Sequence, residues 1–171
     1  MPRVRDFRNA SFKLDRIDTC GRFVGSKLYS KLYTIENIVR IVVNSVLTLQ
    51  LGANWWSVAV DPDVVSKAAR FRAHYAARPR NASPGVEDIH LIFLSDLTEI
   101  LRANSHQFLP VITDTNNWIA ALEAIRVPRN LVGHMNFPNA FDKAAIDSAY
   151  AQLPSLMNQL TTSHVPILIP K

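Results

Sequence analysis

Between Ser26 and Gln50 the apolar residues Leu28, Leu32, Ile35, Val39, Val42, Val46 and Leu49 alternate steps of four and three, the spacing of one helix face. The run is rich in β-branched residues, but without Gly or Pro it exceeds the length of an ordinary strand. Ile38 and Val43 widen the apolar surface and leave a narrow polar stripe that includes Tyr33, Glu36, Asn37, Arg40 and Asn44, which predicts a helix packed on more than one side. Gly52 offers its stop. A more exposed, basic helix is expected over residues 64–77, and Pro, Asn, Ser and Gly make 78–85 a loop.

A third helix is expected from about Val86 to Ala103, with Ile89, Ile92, Phe93, Leu97, Ile100 and Leu101 inward. Asp114 or Thr115 can cap a fourth, which carries Trp118, Ala121, Leu122 and Ile125 on one side. Pro128 predicts a kink or restart just before Arg129, since proline removes a backbone donor and disfavours helical geometry in the preceding residue. A fifth helix from about Ala140 to Leu160 would bury Phe141, Ala145, Ala149, Leu153 and Leu156, with Pro154 kinking or shortening it. The expected fold is therefore an all-α bundle of about five helices in a single domain over residues 1–171, with a basic arm at 1–25 and an extended apolar tail at 161–171.

Composition narrows the function. At 171 residues and 48% hydrophobic content, the chain can bury a core without disulfides or a structural metal. The lone Cys20 cannot form an internal disulfide, so a reducing cytoplasm is expected. The N-terminal residues lack the apolar core of a signal peptide, and no apolar run is expected to reach membrane-spanning length, so no membrane partner is expected. Positive charge is concentrated in two places. Residues 1–31 carry Arg3, Arg5, Arg8, Lys13, Arg16, Arg22, Lys27 and Lys31 against three Asp, and residues 67–80 carry Lys67, Arg70, Arg72, Arg78 and Arg80 with no acid. Such clusters suggest a surface that faces a polyanion, because phosphates attract clustered Arg and Lys. A solvated face that only aids solubility carries the same charges.

The chemistry-bearing stretch is RNLVGHMN, Arg129 to Asn136. On an ideal helix Arg126, Asn130 and His134 share one stripe, and Arg129 and His134 lie about 140° apart. Histidine moves protons near neutral pH and arginine forks onto phosphate oxygens, a pair suited to phosphoryl chemistry without a metal. In RNA cleavage by the 2'-OH, His134 would relay the proton, Arg129 would stabilise charge on the non-bridging oxygens, and Asn130 would orient the histidine or contact the phosphate. Arg126 would add a phosphate contact. A polar cluster near a helix kink can equally serve only to satisfy freed carbonyls.

RNLVGH matches the R-x4-H motif of the HEPN superfamily. Its context WIAALEAIRVPRNLVGHMN, with LYTIENIVRIVV and FLSDLTEILRANSHQF, resembles that family's helical layout over roughly residues 28–140. The resemblance implies an all-α homodimer whose two motifs meet at the interface, metal-independent endoribonuclease activity, and a toxin–antitoxin or phage-defence setting with an antitoxin or other regulatory protein as partner. By position, Arg129 and His134 would be catalytic and Asn130 the motif's polar residue. Asn136 stands where one toxin group has a tyrosine two after the histidine, so that group's control by tyrosine modification is not implied.

Glu36 and Arg40, four apart, form a simple ion pair or, if their stripe faces the motif helix, orient Arg129 or His134. His90 has Glu87 at ligand spacing, but no second pair completes a metal set, so neither metal nor cofactor is expected. Trp55, Trp56 and Trp118 read as core or interface anchors. A non-catalytic HEPN-like dimer that binds nucleotide, nucleic acid or protein is the alternative function, and a plain helical scaffold a third.

Overall fold

A computed structural model describes residues 5–171, and every regular element among them is helical. Arg3, counted above in the basic arm, lies outside the described residues. The described part of the arm is largely helix: α1 (Leu14–Phe23) continues through a π-helical segment (Val24–Tyr29) into α2 (Ser30–Leu51). Few apolar positions and two glycines, Gly21 and Gly25, hid the helical period there. The combined helix Leu14–Leu51 is long and apolar enough to cross a membrane, contrary to expectation, although 56% of its most apolar 18-residue stretch is buried against the rest of the protein.

Helix α2 is the centre of the fold. Val39, Val42, Val43, Val46 and Leu47 have no exposed surface, and Leu28, Leu32 and Ile35 are also buried, whereas Leu49 of the expected face is 48% exposed. Gly52 ends α2 at φ 83°, a left-handed backbone that glycine adopts without a Cβ clash. The short α3 (Trp55–Ala59) follows, with the buried Trp55 indole donating to Asn44 Oδ1. Asp61 then caps α4 (Pro62–Ala76) by accepting from the Asp63 amide, with Pro62 in the first turn.

The third helix begins later than its periodicity predicts. Residues 88–91 form a 3-10 turn, Ile92 and Phe93 are extended, and α5 runs only over Leu94–Ala103. Ile89, Ile92, Leu97, Ile100 and Leu101 are buried, but Phe93 is exposed. After α6 (Ser105–Phe108), α7 runs from Thr115 to Gly133 without interruption at Pro128. Pro128 is itself buried, between the buried Ile125 and Val132, and this packing outweighs the lost hydrogen bond that predicted a break.

The fifth helix is two. In α8 (Ala140–Ala151), Asn139 accepts from the Phe141 and Asp142 amides while Asp142 accepts from the Asn139 amide, a reciprocal cap. This fixes Phe141 in the first turn with its side chain 87% exposed, not inward. Pro154 falls in the first turn of α9 (Leu153–Thr162), where it needs no amide partner, so it starts a helix instead of kinking one. The tail from Ser163 is non-helical and crosses α2: the Leu168 amide donates to Ser45 Oγ and Asn44 Nδ2 donates to the Leu168 carbonyl. Helices α2 to α9 share one buried cluster, against which Phe23 of α1 packs, and α7 with α8 forms its most extensive helix pair.

Two substitutions check this packing. Leu47→Ala is expected to cost about 2–5 kcal/mol in urea unfolding, while Phe141→Ser should stay within about 0.5 kcal/mol of wild type. A large loss on Phe141→Ser would restore the inward reading of that side chain.

Candidate functional site

Arg40 is 8% exposed in the middle of the apolar helix α2, and a charge so placed must be paired. Its Nη2 donates to Glu36 Oε1 at 2.6 Å and to the Ile92 carbonyl at 3.1 Å, and its Nε donates to the Ile89 carbonyl at 3.1 Å. The same carboxylate holds the motif arginine. Arg129 donates from Nε to Glu36 Oε2 at 3.1 Å and from Nη2 to Glu36 Oε1 at 3.4 Å. Two guanidinium groups therefore share one partly buried carboxylate and leave a local excess of positive charge. Glu36 lies with Arg129 and makes no bond to His134.

Arg129 comes to face α2 because α7 is unbroken. Residues 125, 129 and 132 fall on one side, so Arg129 lies between the buried Ile125 and Val132 on the edge of the core. Its guanidinium also lies 5.8 Å from the Phe93 ring centroid. Nη1 makes no hydrogen bond among the described residues, and a Cβ placed on Gly133 would come within 3.7 Å of it, so the bare glycine leaves that nitrogen approachable.

His134 is elsewhere. It is the residue that ends α7, and its ring is solvent-exposed. Beyond it the Asn136 amide donates to the Leu131 carbonyl and the Met135 amide to the Val132 carbonyl, closing the helix with Met135 at φ 60°. Asn130 and Arg126 are also exposed on the expected stripe, Arg126 lying 3.8 Å from Glu123. Within one chain, Arg129 and His134 thus occupy different faces.

A cleft of about 490 Å3 opens beside Arg129. It is walled by Tyr33, Glu36 and Arg40 of α2 on one side, by the end of α7 on another, and by Pro84 and His90 on a third. His90, which sequence reasoning weighed only as a metal ligand, is the histidine that shares a cleft with Arg129. The available signal was Arg40, a cation inside the most apolar stretch of the chain, which has to be neutralised by whatever packs on it.

The basic segments are partly consumed. Lys67 bonds both oxygens of Asp96 at 2.8 Å, and Arg72 pairs with Asp88 at 2.6 Å and donates to the Val86 carbonyl. Arg78, just beyond the end of α4, donates to the His74 carbonyl in that helix's last turn. Arg70 and Arg80 are exposed and make no ion pair among the described residues. Near the N-terminus, side-chain hydrogen bonds from Arg8 hold the Asp6 carboxyl below the usual carboxylate range, and Arg22 does the same for Asp18. Lys31 pairs with Asp147. Among the described residues no cluster of three or more His, Cys, Asp or Glu could hold a metal ion.

Comparison of the chain with models of known protein families, with curated proteins and with solved structures finds no match.

The shared carboxylate sets an expectation for stability. Glu36→Gln leaves two cations facing each other and should cost about 3–5 kcal/mol. Arg129→Ala leaves the Arg40–Glu36 pair intact and, at 29% side-chain exposure, should cost about 1 kcal/mol or less. Urea denaturation of both variants reads the difference; equal losses would mean that Arg129 carries as much of the fold as Glu36.

Proposed function

We propose that this protein is a HEPN-type, metal-independent endoribonuclease that works as a homodimer in a toxin–antitoxin or phage-defence setting. The observation that carries the reading is the state of Arg129: the arginine of the R-x4-H motif is aligned by Glu36, has one guanidinium nitrogen without a hydrogen bond among the described residues, and opens onto a cleft. An arginine oriented in this way can bind a phosphate without reorganising first, which favours charge stabilisation in a transition state.

His134 supplies the proton chemistry. As the 2'-oxygen bonds to phosphorus, a neutral imidazole takes its proton; as the bond from phosphorus to the 5'-oxygen breaks, an imidazolium protonates that oxygen. The products are a 2',3'-cyclic phosphate and a 5'-hydroxyl. Because Arg129 and His134 lie on different faces of one α7, the imidazole that meets a phosphate on Arg129 belongs to a second copy of the chain. The exposure of Asn130 and His134 leaves them available to that copy, and Arg70 and Arg80 remain available to hold the RNA backbone.

A second reading, a helical dimer that binds nucleotide, nucleic acid or a protein partner without turnover, is favoured by the separation of His134 from the cleft. Incubating wild type, Arg129→Ala and His134→Ala with structured and unstructured RNA in EDTA decides between them. Cleavage by wild type alone, leaving 2',3'-cyclic phosphate ends while both variants melt within a few degrees of wild type, is the expected result. RNA left intact by wild type moves the reading to the binding module, and loss of several degrees in both variants moves it to a scaffold.

A further inference from the structure

His90 is placed in the Arg129 cleft by the same interactions that place Arg129. The 3-10 turn that carries His90 presents the carbonyls of Ile89 and, just after it, Ile92 to Arg40. Arg40 in turn bonds Glu36, and Glu36 bonds Arg129. A single buried cation therefore fixes both walls of the cleft. From the far side, the Val86 and Glu87 amides donate to the Lys171 carbonyl at 2.7 Å, so the segment leading into His90 is tied down as well.

The ring of His90 is only partly buried, and neither of its nitrogens makes a hydrogen bond among the described residues. Its position depends on Gly85, since a Cβ there would lie 2.5 Å from His90 Cδ2 and 2.8 Å from Cγ. Both contacts are closer than real Cβ atoms come, so any side chain at 85 must move the ring. Tyr33, 63% exposed, borders the same cleft and offers a flat face to a base. The remaining charged groups lining this space are Glu36, already shared by two arginines, and Arg40, whose Nε and Nη2 are engaged.

We infer that the cleft binds one phosphodiester of an RNA strand between Arg129 Nη1 and the His90 imidazole, making His90 a substrate-contacting residue of the site. The inference rests on RNA being the ligand of the proposed ribonuclease. It adds a histidine from the Arg129-bearing chain to a reaction whose proton-transfer histidine comes from the second copy.

The test is fluorescence anisotropy of the full chain with a labelled 2'-O-methyl RNA oligonucleotide, whose blocked 2'-oxygen prevents cleavage. His90→Leu keeps much of the bulk and removes the imidazole with its donor; Gly85→Ala keeps the imidazole and displaces it. Each is expected to weaken binding by about tenfold, the effect of losing one hydrogen bond to a charged group. His106→Ala, an exposed histidine outside the cleft, should bind as wild type. No binding by wild type, or wild-type affinity in either cleft variant, overturns the inference. Unmodified RNA is assayed in parallel so that the two readings fail separately. RNA cut with binding indifferent to His90 removes only the phosphate contact, and uncut RNA with binding that depends on His90 removes only the ribonuclease.

Discussion

The charge of Arg40 is the constraint around which this structure is arranged. A guanidinium inside a valine-rich helix is tolerated only if its donors are used, and a carboxylate alone cannot use them all. Glu36 takes one, and two backbone carbonyls, those of Ile89 and Ile92, take two more, so that Nε and Nη2 are both engaged. In a continuous α-helix those carbonyls would accept from amides four residues on, at Phe93 and Asp96. Arg40 therefore stabilises a chain that is not α-helical there. The 3-10 turn, the extended Ile92 and Phe93, and the start of α5 at Leu94 all satisfy that demand, with Asp96 accepting from the freed Phe93 amide.

That dependence explains what the sequence could and could not disclose. The core helix α2 was legible because its four-and-three spacing records burial directly, and the stop at Gly52 because the backbone there needs φ 83°. The late start of α5 was not, because apolar residues at 89, 92 and 93 satisfy a helical period while the carbonyls that break it answer to a residue 49 to 52 positions away. Pro128 misled for a related reason. Its local cost is real, but the ring is buried among Ile125 and Val132, and the packing of a long helix exceeds one missing hydrogen bond. Phe141 misled because a cap, and not a hydrophobic period, sets the phase of α8.

The candidate site could be read from the sequence as a set of residues and not as a geometry. Arg129 and His134 are five apart, and the expected kink left their relative direction open; the unbroken α7 settles it, placing one against Glu36 and the other in solvent. Charge counts were a weaker guide still. Lys67 and Arg72 stand in a run of cations without a local acid, yet Asp96 and Asp88 arrive from later segments and neutralise them. What a basic run offers to a polyanion is the part its own fold has not already paired.

The end of α7 completes the argument about Arg129. On a helix that continued, positions 133 and 136 would lie on the same side as 129 and shield its guanidinium. Position 133 has no side chain, and the helix stops at His134, where Met135 takes a left-handed backbone and turns the chain toward Asn136 and the cap of α8. That conformation is costly for a residue with a Cβ, and two closing hydrogen bonds, to Leu131 and Val132, hold it. The strain and the missing side chain have the same consequence: one edge of a guanidinium whose other edge is fixed by Glu36 stays open. A charge held on one side and bare on the other is pre-organised for an anion, because the energy of orienting it has been supplied by the fold before any ligand arrives.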